Sequence, residues 1–207
     1  MRNDMYTILN TFCIWCVRLT YVNLLWFTFI ILGFVIFGLM PSTVAMFSVI
    51  REWKKEEHEV RVFRVFWLSY KENFIKSNAI GLLLAFMAVP IYLIYYMSHL
   101  LFEVDYRFLG FALTVGYFII FSVIVVYIFP VMAHYNVRVF TQVKYAFLIG
   151  VSNPITTLIL IGLCLAVFYV IYYIGYAFFF GGSTVAAMIM WKAYHIFKKI
   201  EGIQVSA

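Results

Sequence analysis

The chain has 207 residues, 66% of them hydrophobic and only 12% charged. That polar fraction cannot clothe a water-soluble fold, and the length leaves no room for a separate soluble catalytic domain. The net charge of +6 comes from basic residues set just outside apolar stretches. There they meet lipid headgroups or fix orientation, so the charge does not indicate a nucleic-acid partner.

No Asp, Glu, Lys or Arg occurs from Leu19 to Ile50, Ser77 to Phe102, Phe108 to Val137, or Tyr145 to Trp191. A helix needs about 20 apolar residues to cross a hydrocarbon core about 30 Å thick. The runs are continuous rather than alternating, which selects helices over barrel strands. The expected fold is all-α: a single integral membrane domain over residues 1–207. It is a polytopic helix bundle with about five transmembrane helices and an interfacial amphipathic helix. Membrane lipid is its first partner.

Residues 6–18 read as a short helix lying in the interface, with no cleavable signal peptide visible. The first span is then Leu19 to Met40, an uncleaved insertion signal. Pro41 lacks an amide donor and crowds the preceding turn, so a kink or break is expected there, with Ser42 or Thr43 capping the next helix. The run from Arg51 to Glu59 is strongly charged and belongs in water. After it, Phe63, Phe66, Trp67, Tyr70 and Phe74 fall on one helical face, with Arg61, Arg64, Lys71 and Lys76 away from it. Such a stripe suits a helix in the headgroup boundary, or one packed on the protein's own helices.

The second span is Asn78 to Met97, followed by a loop carrying Glu103, Asp105 and Arg107. The third is Phe108 to Pro130. The fourth lies between Ala146 and Phe180, starting near Pro154, and Gly181-Gly182 is expected to interrupt it. Ser183 to Phe197 forms a short fifth span, in which Lys192 must snorkel to the interface. Seven of the fifteen basic residues lie between Arg51 and Lys76, which places that segment in the cytoplasm. Five crossings then put the N-terminus outside and Lys198-Lys199 inside.

Two echoes run through the chain. Val60-Arg-Val-Phe63 recurs as Val137-Arg-Val-Phe140, each after a proline-terminated span (Pro41, Pro130) and before a Ser-Asn pair (Ser77-Asn78, Ser152-Asn153). This pattern predicts a parallel two-helix repeat. Ser42-Thr-Val-Ala45 recurs as Ser183-Thr-Val-Ala186, but five crossings put these on opposite sides of the membrane, so this echo reads as accidental.

The sequence holds little that carries chemistry. Cys13 and Cys16 have C-x-x-C spacing without a thiolate-stabilising context or further zinc ligands, and read as incidental. There is no H-E-x-x-H pair, no clear serine–histidine arrangement and no intramembrane carboxylate for an aspartyl mechanism or proton coupling. The expectation is a non-enzymatic protein without cofactor or metal. Asn23, Asn78 and Asn153 are either a polar pathway for a small solute or interhelical hydrogen-bond joints. Tyr92, Tyr95 and Tyr96, with Tyr169, Tyr172, Tyr173 and Tyr176, read as an aromatic belt.

Three segments together resemble a bacterial family: Asn23-Leu-Leu-Trp26, Gly38-Leu-Met-Pro-Ser-Thr-Val-Ala45 and Tyr70-Lys-Glu-Asn-Phe74. They are similar to the YesL-like membrane proteins. The resemblance implies a Gram-positive-type cytoplasmic-membrane protein encoded beside carbohydrate uptake and breakdown systems. It implies an accessory or scaffold role, with a carbohydrate ABC transporter as partner; the alternative is a small-solute transporter or channel without proton coupling. The motif positions to follow are Pro41, Ser42, Thr43, Lys71, Asn73 and Phe74.

Overall fold

The structure is a computed structural model that describes residues 2–55, 60–101, 107–173 and 178–202. Among these, seven helices form: α1 (Arg2–Leu32), α2 (Ile36–Lys55), α3 (Val62–Leu101), α4 (Arg107–His134), α5 (Val139–Ser152), α6 (Pro154–Tyr173) and α7 (Phe178–Ile200). Glu103, Asp105, His58 with the rest of residues 56–59, and Tyr176 lie outside the described residues.

Four stretches are long and apolar enough to cross a membrane: Leu9–Leu32, Val62–Ser98, Arg107–His134 and Pro154–Tyr173. The expected count was about five. The Ser183 segment falls in α7, which carries Lys192, Lys198 and Lys199 and is not among the four. In α1, α4 and α6 the hydroxyls of Thr20, Thr28, Thr114, Ser122 and Thr157 bond back to carbonyls one turn earlier, so they need no water.

The first chain reversal is not at Pro41. It is at Gly33-Phe34-Val35, where α1 folds back on itself as α2. Trp15 meets Trp53, Trp26 meets Thr43, and Gly38 abuts the Phe29 and Ile30 carbonyls, so the two helices are antiparallel. The amide of Val35 bonds the Ile30 carbonyl and that of Phe34 bonds the Ile31 carbonyl, a Schellman closure. Phe34 occupies the left-handed position usually given to glycine, with φ 55°, and Val35 follows with φ 61°. Left-handed backbone costs an L-residue about 1–2 kcal/mol. The amides of residues 33–36 are all bonded within the turn, and its side chains are apolar. Such a turn is compatible with hydrocarbon.

This hairpin corrects the expected route. Residues 6–18 belong to the same helix as the first span, and Trp15 and Arg18 lie at the end of the bundle that holds Trp53 and Lys54. A single crossing between the N-terminal segment and Arg51, which would put them on opposite faces, does not fit.

Pro41 lies inside α2, the central helix, most of whose residues from Pro41 to Trp53 are buried. α2 packs on α1, α3, α4 and α7. α3 is one helix of 40 residues, which rises about 60 Å at roughly 1.5 Å per residue. The amphipathic stretch is therefore continuous with the second span. The inner side of its stripe packs on the protein itself: the Phe29 ring lies 5.1 Å from those of the buried Phe66 and Tyr70, and 5.7 Å from Trp67, which with Phe63 stays about half exposed.

α4 runs antiparallel to α3, with Gly110 against Ser98 and Tyr117 bonded to the Met87 carbonyl. It runs parallel to α2, with Phe47 stacked on Phe129 and Arg51 bonded to His134. The second copy of the predicted repeat is α4 followed by α5 and α6. The prolines of the two copies fall differently: Pro41 lies near the start of α2, Pro130 near the end of α4, and Asn153-Pro154 divides the second copy's last helix. Proline drives the preceding residue out of the helical region, and Asn153 sits at φ −131°, ψ 63°.

α7 runs antiparallel to α1, with Gly182 at Asn23 and Trp191 at Trp15. It is thus parallel to α2. Ser42 and Ser183, both fully buried, open segments that run the same way against α1 rather than on opposite sides. Gly181 and Gly182 do not interrupt α7; they lie within it, and a side chain at Gly181 would strike Ile171.

Candidate functional site

Polar groups in the bundle gather at helix joints. Proline at position 41 cannot donate to the Phe37 carbonyl one turn back. Asn78 from α3 fills that vacancy: its Nδ2 donates to Phe37 O at 3.0 Å and to Phe74 O at 2.9 Å. A related solution appears at Pro154, which cannot donate to the Gly150 carbonyl; the Asn153 amide reaches that oxygen only at 3.4 Å. Thr157 Oγ1 shares its one proton between Gly150 O and Asn153 O, each 2.9 Å away, and accepts from Tyr127 Oη at 3.1 Å, tying α4, α5 and α6.

The three asparagines therefore serve three separate places. Asn23 is buried in α1 where Gly182 lets α7 approach; a methyl at Gly182 would stand 3.2 Å from Asn23 Oδ1. Asn78 repairs α2. Asn153 sits at the α5–α6 break, donating to the Ile149 carbonyl at 3.2 Å.

The motif positions fall into two joints. Trp26 Nε1 donates to Thr43 Oγ1 at 3.1 Å, and Thr43 donates to the Leu39 carbonyl, joining the first motif to the second beside Pro41. Ser42 is wholly buried, and its Oγ has no hydrogen-bond partner among the described residues. Asn73 donates to the Ser69 carbonyl at 3.0 Å, and Ser69 Oγ lies 2.8 Å from Ser48 Oγ, joining α3 to α2. Phe74 packs on Tyr70, while Lys71 is exposed.

A cavity of about 560 Å3 lies between α4, α6 and α7, with α1 and α2 as its floor. Phe47, Ala186 and Ile189 are buried at its base, and Phe118, Leu165 and Phe168 are exposed at its rim. Its polar lining is confined to groups such as Thr43, Ser122 and Trp26; none of the three asparagines reaches it.

At the basic end, sequence reasoning missed a polar cluster. Arg51 Nε donates to His134 Nδ1 at 3.1 Å, and His134 Nε2 lies 2.9 Å from Glu201 Oε1. Because arginine can only donate, Nδ1 is the acceptor and the proton sits on Nε2, donated to Glu201. One ring thereby ties the ends of α2, α4 and α7. Tyr135 stands beside it; burial, then the Glu201 carboxylate, push its phenol up to about 12. Nothing in the sequence spacing signals this cluster, since its members are 83 and 67 residues apart. Among the described residues, no group of three His, Cys, Asp or Glu could hold a metal ion.

Residues 19–95 match a family described as a protein of unknown function, DUF624. Three Bacillus subtilis (strain 168) proteins are similar along nearly the whole chain. Uncharacterized protein YteU is 35% identical over 194 residues, covering 92% of this chain and 85% of its own. Uncharacterized protein YesL is 33% identical over 198 residues, covering 93% and 91%. Uncharacterized protein YesV is 34% identical over 206 residues, covering 97% of each. No solved structure matches the chain. The match to residues 19–95 spans the α1–α2–α3 unit whose joints the three sequence motifs form, and with full-length relatives above 30% identity the chain belongs to the YesL-like DUF624 family.

Proposed function

We propose that this chain is a non-enzymatic accessory or scaffold protein of the bacterial cytoplasmic membrane that serves carbohydrate uptake by docking on a sugar ABC transporter. The observation that carries the reading is the use made of the intramembrane polar groups. Asn78, Thr157, Tyr127, Ser48, Ser69 and Thr43 are all engaged in joints between helices or in bonds to proline-freed carbonyls. Such groups fix a rigid shape rather than line a path.

The end of the bundle with Arg18, Arg51, Lys54, Lys55, Lys198 and Lys199 faces the cytoplasm in this reading, by the excess of basic residues. The hairpin then puts the N-terminal segment there too. The docking surface is the outer face of the first turns of α3, where Phe63 and Trp67 are 53% and 45% exposed and Lys71 is exposed. Phe66 is fully buried and serves the fold.

The test is cross-linked pull-down from the native host. Phe63→Ala with Trp67→Ala should lower recovery of transporter subunits at least fivefold while the protein stays folded. Recovery of no transporter subunit by the wild type, or equal recovery by the variant, refutes the proposal.

A further inference from the structure

Three tryptophans from three helices meet at the basic end. Trp15 of α1 lies edge-on to Trp53 of α2, with ring centroids 5.9 Å apart, and edge-on to Trp191 of α7 at 5.7 Å. Two cations rest on them. The Arg18 guanidinium is 5.7 Å from the Trp15 ring and 5.8 Å from the Trp53 ring, and the Lys54 ammonium is 5.0 Å from the Trp191 ring. Trp53 is buried, Trp15 half-buried, and Trp191 46% exposed, so the cluster has an inner anchor and an open side.

Its level in the membrane follows from its neighbours. Arg51, two residues before Trp53, bonds His134, the last residue of an apolar span. The cluster therefore stands where hydrocarbon gives way to headgroups. Indole rings favour that depth, with an apolar body toward the chains and an N–H toward water.

Among the described residues, the charges at this place are incompletely answered. Among them, neither Arg18 nor Lys54 has a carboxylate partner; Glu52 is taken by Arg51 and Lys55. A cation held against an aromatic face keeps its outward side free for an anion. Guanidinium and ammonium together match phosphate: the first by paired N–H donors, the second as a point charge. At headgroup depth the anion at hand is a lipid phosphate.

We propose that Trp15, Trp53 and Trp191 with Arg18 and Lys54 form a binding site for the phosphate headgroup of one anionic glycerophospholipid, whose acyl chains lie along the apolar flank of α1 and α7. The indoles position the two cations, and the net positive charge selects an anionic over a zwitterionic headgroup. Occupancy would clamp α1, α2 and α7 together at one end.

The experiment uses the full chain in nanodiscs and in detergent, with phosphatidylglycerol and phosphatidylcholine as probes. Native mass spectrometry should find phosphatidylglycerol retained at least tenfold over phosphatidylcholine, at one per chain, and phosphatidylglycerol alone should raise the melting temperature. Arg18→Gln with Lys54→Gln should abolish both effects while the protein stays folded in phosphatidylcholine. Trp191→Phe, which keeps both cations, should weaken retention without abolishing it. Equal retention of the two lipids, or undiminished retention by the double variant, overturns the proposal. Competition by inorganic phosphate at millimolar concentration would also overturn it, since that marks a free-anion site.

Discussion

Replacing Asn78 with Leu tests whether an α3 side chain repairs the helix that Pro41 damages. In the wild type, Asn78 Nδ2 sits 3.0 Å from Phe37 O, the carbonyl that Pro41 cannot serve. Its second bond goes to Phe74 O, an acceptor one turn back in its own helix, so that loss matters less. Phe37 lies among apolar exposed residues, and lipid offers no replacement donor. Intramembrane side-chain hydrogen bonds average about 0.6 kcal/mol with a maximum near 1.7, and an orphaned buried acceptor costs about 1–3. The expected loss for Asn78→Leu is about 1–2 kcal/mol, measured by denaturant titration in mixed micelles. Pro41→Ala restores an amide that can reach Phe37 O. In that background Asn78→Leu should cost at least about 1 kcal/mol less, by the same bond. Additive effects of the two substitutions would refute the repair.

Other substitutions follow from the same geometry. Thr157→Val should destabilise more than Tyr127→Phe in thermal unfolding, because only Thr157 serves the Gly150 carbonyl as well as the α4–α6 contact; the expected losses are about 2 and about 1 kcal/mol. Gly150→Ala should lower stability by about 1–3 kcal/mol through overpacking, since its methyl would strike Val123 Cγ1. Gly116→Ala, with nothing within 4 Å, should not lower it. Phe34→Gly should raise stability by about 1 kcal/mol by relieving left-handed strain; a fall in melting temperature would count against the turn geometry.

The membrane class and helical content were legible because hydrocarbon imposes a simple demand: long runs without charge. The route of the chain was harder to read. Pro41 suggested a break, yet α2 continues through it because Asn78, 37 positions later, supplies the missing donor, and no local pattern announces such a distant repair. The real reversal at Gly33-Phe34-Val35 carries phenylalanine and valine at left-handed positions, where glycine or asparagine is the usual signal. In the amphipathic stripe the period was legible, and of the two settings it allowed, packing on the protein's own helices is the one that Phe66, Trp67 and Tyr70 take against Phe29 of α1. The three asparagines were readable as intramembrane polar groups; their separation into different joints depends on tertiary contacts. The Arg51–His134–Glu201 cluster was invisible for the same reason.

The α1–α2 hairpin brings the N-terminal segment and the end of α2 to one end of the bundle. Single cysteines at Tyr6 and Lys55, in a chain with Cys13, Cys16 and Cys164 replaced by Ala, can be probed in sealed vesicles of defined orientation with a membrane-impermeant maleimide. Both should react from the same side and be protected from the other. Labelling of the two positions from opposite sides would contradict the hairpin and the fold built on it.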